Sequence, residues 1–150
     1  MSIKEIQYLT TFHYELLLLA DPDKNAINKY LSRGTSFECR SADDIAGVLV
    51  LLPTRPETLE IVNIAVSETF QNQGIGTKLL HFALNYAKEN SYKTIEIGTG
   101  STSFAQLYLY QKCGFRLTSI DRDFFVRHYD AEIIENKLVL KDMVRLSLDL

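Results

Sequence analysis

The sequence predicts one α/β domain covering residues 1–150, and three observations carry that expectation. Segments of strand period and of helix period alternate along the chain, with no internal repeat, linker or low-complexity tract between them. Hydrophobic residues make up 46% of the 150, enough at this length for one core that buries roughly 68–70% of the unfolded surface. The two cysteines, Cys39 and Cys113, stand far apart without metal-ligand spacing, so both are expected as reduced packing thiols and the core needs no staple.

Near the N-terminus, Phe12 to Leu19 is either a helix or a buried strand, because the leucine run from Leu16 to Leu19 has no clean period. Asp21-Pro22 has the form of a helix N-cap followed by proline at the first helical position; Ala26, Ile27, Tyr30 and Leu31 then share an apolar face, and Gly34 can end the helix. Phe37 to Arg40 is expected to pair with Ile45 to Leu52 across a turn at Ser41 to Asp44. The prolines of Pro53-Thr54-Arg55-Pro56 should stop that ladder before a further strand from Leu59 to Val66. From Gly76 the period becomes helical, with Leu79, Leu80, Ala83, Leu84 and Ala87 on one face as far as about Asn90. Thr94 to Ile97 is a short β-branched strand. Ser101 to Ser103 offer capping hydroxyls for a helix from Phe104 to Cys113, closed by Gly114. The tail reads as strands from Phe115 to Ile120 and from Glu132 to Leu148 around a turn at Asn136-Lys137, with Phe124 to Asp130 as an aromatic loop between them.

Composition excludes several classes. Net charge is −3 with basic residues scattered among acids, so no stripe suited to nucleic acid exists. The longest apolar run near the N-terminus, Leu16 to Ala20, is far short of the ~20 residues that span a membrane, and no basic segment precedes it as in a signal peptide; a cytoplasmic protein is expected. His13, His81 and His128 form no ligand cluster, and no metal is expected.

The segment between strand and long helix, Gln71-Asn72-Gln73-Gly74-Ile75-Gly76-Thr77, puts two glycines at the mouth of a helix. Unpaired N–H groups and the helix dipole favour a phosphate there, and glycine lets the backbone approach it; a turn that needs positive φ explains the same residues. Two rival phosphate loops are excluded. The dinucleotide fingerprint requires a third glycine where Leu79 stands, and the Walker loop requires Gly-Lys-Ser/Thr where this chain has Gly76-Thr77-Lys78. Gln71-x-x-Gly74-x-Gly76, entered from Ile61 to Val66, resembles the pyrophosphate-binding signature of the GNAT acetyltransferases. Tyr110-Gln111-Lys112-Cys113-Gly114-Phe115 is similar to that family's second signature. Together the two cover roughly residues 58 to 120, and their joint occurrence is far more specific than either alone.

The resemblance implies a mixed, mostly antiparallel central sheet flanked by helices and splayed at a bulge between its fourth and fifth strands. It also implies acetyl-coenzyme A as co-substrate, with no metal, and transfer of acetyl to an amine by direct attack. The loop Gln71 to Thr77 would hold the pyrophosphate, and backbone N–H groups around Ile64, Ala65 and Val66 the thioester carbonyl and pantetheine arm. Ser103 stands where the family often has asparagine, so Ser101 or Ser103 would replace that contact. Tyr110 corresponds to the tyrosine that protonates the departing thiolate, which predicts a high-pH decline in kcat from loss of its proton; it also fits an apolar helix face. An amine of pKa about 10.4 is almost wholly protonated near neutrality, so a carboxylate and a water relay are needed. Glu60 is preferred over Glu96, which should face it across the splay, and Asn63 can orient a water but cannot act as a base.

His128, Tyr129 and Asp130, in the aromatic loop, are the candidate acceptor-binding residues, through packing, cation–π attraction and charge. The acceptor itself, a small-molecule or peptide amine, is open. A binding or sensor module that keeps the coenzyme groove without turnover is the alternative. A C-terminal strand edge could pair between subunits and give a homodimer.

Overall fold

A computed structural model describes residues 1–150. Its nine strands are β1 (Ser2–Glu5), β2 (Thr35–Ser41), β3 (Asp44–Arg55), β4 (Thr58–Val66), β5 (Thr94–Gly100), β6 (Arg116–Asp121), β7 (Ile134–Glu135), β8 (Leu138–Val139) and β9 (Met143–Asp149). Five helices join them: α1 (Thr11–Ala20), α2 (Lys24–Leu31), α3 (Ile75–Glu89), α4 (Phe104–Lys112) and α5 (Phe124–His128). Seven strands form one sheet in the order β1-β2-β3-β4-β5-β9-β6, and β7 pairs with β8 in a separate hairpin.

Only the β4–β5 pair is parallel, as the α3 crossover between those strands requires. That pairing is short. Thr58 to Ile61 match Thr94 to Ile97, and beyond this point β4 continues to Val66 without a β5 partner. The cause lies in the other ladder: Leu51 faces Ile61 and Val50 faces Asn63, so Val62 is an extra residue bulged from β4. A bulge bends and twists its strand, which steers β4 away from β5, and it also reverses the side-chain alternation. Leu59 and Ile61 before it, and Ile64 and Val66 after it, all meet the core under α3, whereas Val62 and Ala65 join the smaller core under α1 and α2.

The larger core packs Ile75, Leu79, Leu80, Ala83 and Ala87 of α3, with Tyr110 and Phe115 at the end of α4, against the sheet. These are the helical-period residues of the sequence, with Leu84 at the margin. The smaller core sets Leu16, Leu17 and Ile27 on Val48 and Val50. Each fully buried aliphatic side chain contributes roughly 1.5–3 kcal/mol, so the two helical layers clamp β4 from both faces.

Several local expectations are corrected. The leucine run is helical, the first of its two readings, and the corrections concern other segments. The N-cap of α2 is Asp23, whose carboxylate accepts from the N–H groups of Asn25 and Ala26, and Asp21 instead accepts from the Asp23 N–H. Gly34 keeps negative φ; its need is space, since a Cβ would lie 2.8 Å from the Leu51 carbonyl oxygen. Pro53 does not stop β3, which runs on to Arg55, because it stands at an exposed, irregular end of the ladder where a missing N–H is tolerated. Ser103 makes no capping hydrogen bond to α4. Phe124 to His128 is a short helix. The C-terminal strand β9 lies between β5 and β6, so the free sheet edges belong to β1 and β6.

α1 is tied to β2 by a buried polar chain that the sequence did not suggest. His13 Nδ1 accepts from the Thr10 N–H at 2.9 Å, which leaves Nε2 to donate to Glu38 at 3.2 Å, while Arg40 bonds the other Glu38 oxygen. His13 is 2% and Glu38 5% exposed. Glu38→Leu would orphan the imidazole N–H and is expected to cost about 1–3 kcal/mol in urea unfolding; Glu38→Gln, which keeps an acceptor, should cost less. Equal losses for the two would mean that packing rather than the hydrogen bond ties α1 down.

Candidate active site

Gln71 to Thr77 leads into α3 through two left-handed residues, Asn72 at φ 62° and Gly74 at φ 81°. Gly74 is the N-cap, and the first N–H bonded within the helix is that of Lys78, to the Gly74 carbonyl. The N–H groups of Ile75, Gly76 and Thr77 therefore precede the helical ladder and point out of its end. A Cβ built on Gly74 meets nothing within 4 Å, so the loop is open at this position. At Gly76 the reason for glycine differs: a Cβ would lie 3.3 Å from Leu109 Cδ2 and 3.9 Å from Val66 Cγ2, so its lack of a side chain lets α3 close on α4 and β4.

That contact brings the end of α4 beside the loop and the splay. Tyr110, next to Leu109, is buried against Phe115 with ring centroids 6.3 Å apart. Burial alone acts on its phenol and pushes it above its ordinary value; no charge or hydrogen bond of the chain offsets this. α4 ends in a Schellman motif, with Phe115 N–H on the Tyr110 carbonyl, Gly114 N–H on that of Gln111, and Gly114 at φ 104°. The Tyr-x-Lys-x-Gly-Phe pattern is thus the local code that stops the helix where Tyr110 is wanted. Ser103 gives its hydroxyl proton to Glu135 at 2.6 Å, and Thr102 adds a second bond to the same oxygen at 3.2 Å. Of the two serines proposed to replace asparagine, only Ser101 keeps its side chain free of such a bond.

Glu60 and Glu96 do not face each other across the splay. They are register partners in the paired segment below it, because the splay begins only after Ile61 and Ile97. Both line a polar cavity of about 300 Å³ with Arg55, Arg145, Thr118 and Ser119. Glu96 is ion-paired with Arg55. Glu60 has no salt bridge, and burial pushes its carboxyl above the usual range, Arg145 and Arg55 opposing and Glu96 reinforcing the shift. Of the two carboxylates, Glu60 is the one without an ion-pair partner.

Residues 5–115 match the sequence profile of the acetyltransferase (GNAT) family. YvbK, an uncharacterised N-acetyltransferase of Bacillus subtilis strain 168, is 56% identical over 137 residues, covering 91% of this chain and 88% of that protein. The chain belongs to the GNAT acetyltransferase family. An acetyltransferase of Bacillus subtilis solved in complex with CoA aligns with a TM-score of 0.96 at 53% identity, over 99% of this chain and 97% of that one. A GNAT acetyltransferase of Elizabethkingia anophelis with acetyl-CoA bound aligns with a TM-score of 0.96 at 46% identity, over the same shares. The mixed sheet with its single parallel β4–β5 pair is the GNAT sheet.

In this GNAT enzyme the three acceptor candidates separate. Tyr129 turns inward: its hydroxyl donates to Asp21 Oδ1 at 2.9 Å and its ring lies 5.4 Å from Phe125. His128 is exposed, its ring tilted against that of Phe124 with centroids 4.6 Å apart, and Asp130 is exposed. Asp21 and Tyr30, which the sequence offered only as a cap and an apolar helix face, join Tyr129 in one network with Asn63. No spacing signal could have found it. No helix is long and apolar enough to cross a membrane, and no group of three metal-ligating side chains converges.

Proposed function

We propose that this GNAT enzyme moves the acetyl group of acetyl-coenzyme A to an amine by direct attack. The observation that carries the reading is the proximity of the start of α3, whose first N–H groups have no helical partner, to the end of β4 that has left β5: a Cβ on Gly76 would lie 3.9 Å from Val66 Cγ2. The Gln71 to Thr77 backbone would hold the pyrophosphate. Beyond the bulge, the edge of β4 that faces away from β3 has no β5 partner between Ile64 and Val66, so the backbone groups on that edge are free to bond the pantetheine arm and the thioester oxygen, while those on the other edge belong to the β3 ladder. Glu60 would take the ammonium proton through water in the polar cavity, and Tyr110 would return a proton to the departing sulfur. A sensor module needs neither group. Release of coenzyme A thiol from acetyl-coenzyme A across a panel of amines, with products read by mass spectrometry, decides the matter: binding without release supports the sensor.

Glu60 acts as base only when ionised, so kcat/KM should fall as pH drops through its raised pKa, and Glu60→Gln should abolish that acid limb. A loss of about 10²-fold is expected, because the acceptor can still lose its proton to bulk water. Stability moves the other way. A carboxyl whose folded pKa is raised binds more protons in the folded state, so its contribution is full below the unfolded value near 4.5 and is lost as pH rises. Glu60→Gln removes that penalty at neutral pH, and its Tm should be no lower than that of the wild type. An unchanged acid limb would return Glu60 to the role of a half-buried strand carboxylate.

A further inference from the structure

One corner of the molecule concentrates negative charge without a counter-cation. Asp21, between α1 and α2, accepts hydrogen bonds from Tyr30 on α2 at 3.3 Å and from Tyr129 beyond α5 at 2.9 Å. Asp23 follows as the cap of α2. Neither carboxylate takes part in any of the chain's salt bridges. The ionisable groups that act on the two phenols are Asp21, Asp23 and, for Tyr129, Tyr30; each pushes them up, as burial does, and no cation opposes.

An independent observation comes from β4. Asn63, just past the bulge, is 3% exposed. Its Nδ2 donates to the Leu17 carbonyl at 3.0 Å and meets the Tyr30 hydroxyl at 2.9 Å, while Oδ1 is the one buried side-chain polar atom of the chain with no hydrogen-bond partner. The amide cannot simply be reversed, because its oxygen would then face the Leu17 carbonyl. A buried carbonyl left in this state calls for a donor from elsewhere.

We infer that Asp21, Asn63 and the rings of Tyr30 and Tyr129 form a subsite for an ammonium group of the acceptor, and that this ammonium is not the amine that is acetylated. An ammonium has three N–H donors and seeks carboxylate, carbonyl and phenolic oxygens, with aromatic faces adding cation–π attraction. Asp21 favours the charged form of an amine held beside it, which opposes the proton loss that attack on the thioester requires. Asn63 directly precedes Ile64 in β4, and Ile64 is where the transfer reading, on which this inference rests, places the acyl group. The acceptor is therefore a diamine, anchored by one nitrogen and acetylated on the other.

The probes are 1,4-diaminobutane and 1-aminobutane, of equal chain length, at saturating acetyl-coenzyme A. The wild type should show a KM at least about tenfold lower for the diamine, near the low end of what a desolvated charge contact provides. Asp21→Asn, which keeps the shape and one acceptor oxygen, should erase this preference while leaving the KM for acetyl-coenzyme A unchanged. Equal KM values in the wild type, or a preference that survives Asp21→Asn, overturns the inference. A network that only tied α2 to the α5 segment would affect both amines alike. If neither amine releases thiol, the transfer reading is what has failed for these probes, and calorimetric titration of the coenzyme A complex decides the subsite: tighter binding of the diamine, lost in Asp21→Asn, supports it, and equal binding overturns it.

Discussion

Gly74→Val is expected to weaken coenzyme A binding by about 10²–10⁴-fold. The estimate comes from losing two charge-assisted hydrogen bonds to the pyrophosphate, each worth roughly 1.5–3 kcal/mol. The protein itself does not obstruct the new side chain, since nothing lies within 4 Å of a Cβ at this position. On the coenzyme reading, that open space is where the pyrophosphate approaches the loop, and the side chain would compete for it. The backbone cost is separate: at φ 81° an L side chain pays roughly 1–2 kcal/mol, so Tm should fall as well. Gly74→Ala carries that strain with less bulk, and should match the fall in Tm while losing less affinity. Gly76→Val, which the sequence suggested would act the same way, should act through packing, because its Cβ turns to Leu109 and Val66. Stability should suffer first there. Calorimetric titration of the folded variants with coenzyme A separates the two glycines, and an unchanged Kd for Gly74→Val would remove the main support for the coenzyme loop.

In Tyr110→Phe, kcat should fall by about 10²–10⁴-fold, or somewhat less where water can replace the phenol as acid. Folding and coenzyme affinity should change little, because the ring and its contact with Phe115 remain and the lost hydroxyl has no partner within the chain. The pH profile is where the structure corrects the sequence. A phenol at its ordinary value of about 10 would shed its proton within an accessible range and produce a high-pH decline in kcat. Burial moves that ionisation further up, so the phenolic proton is expected to be lost only at higher pH than in a free tyrosine. Wild type and Tyr110→Phe should therefore share any alkaline limb below about pH 10. The variant's full kcat with intact coenzyme binding would leave Tyr110 as a wall of the cleft.

The glycine loop before α3 and the end of α4 were legible in the sequence because both are local devices. A left-handed glycine, a helix start without partners for its first N–H groups, and a Schellman stop are each encoded within a few residues, so two short motifs placed Gly74 and Tyr110 correctly on their helices. The period of α3 likewise named its buried face. What the sequence could not decide depends on which strands lie side by side. The relation of Glu60 to Glu96 follows from a one-residue bulge at Val62 and a parallel ladder only four pairs long, neither of which leaves a mark in local pattern. β9 reads as a terminal strand yet sits inside the sheet, because it inserts between β5 and β6. Asp21 and Tyr129 are 108 residues apart, and His13 and Glu38 25 apart; these polar contacts form only after packing has removed water, when each buried donor must find whichever acceptor the fold has placed beside it. The sequence by itself determined where one helix starts behind a left-handed glycine and where another stops, and the tertiary structure alone decided which carboxylates share a cavity and which lack a cation.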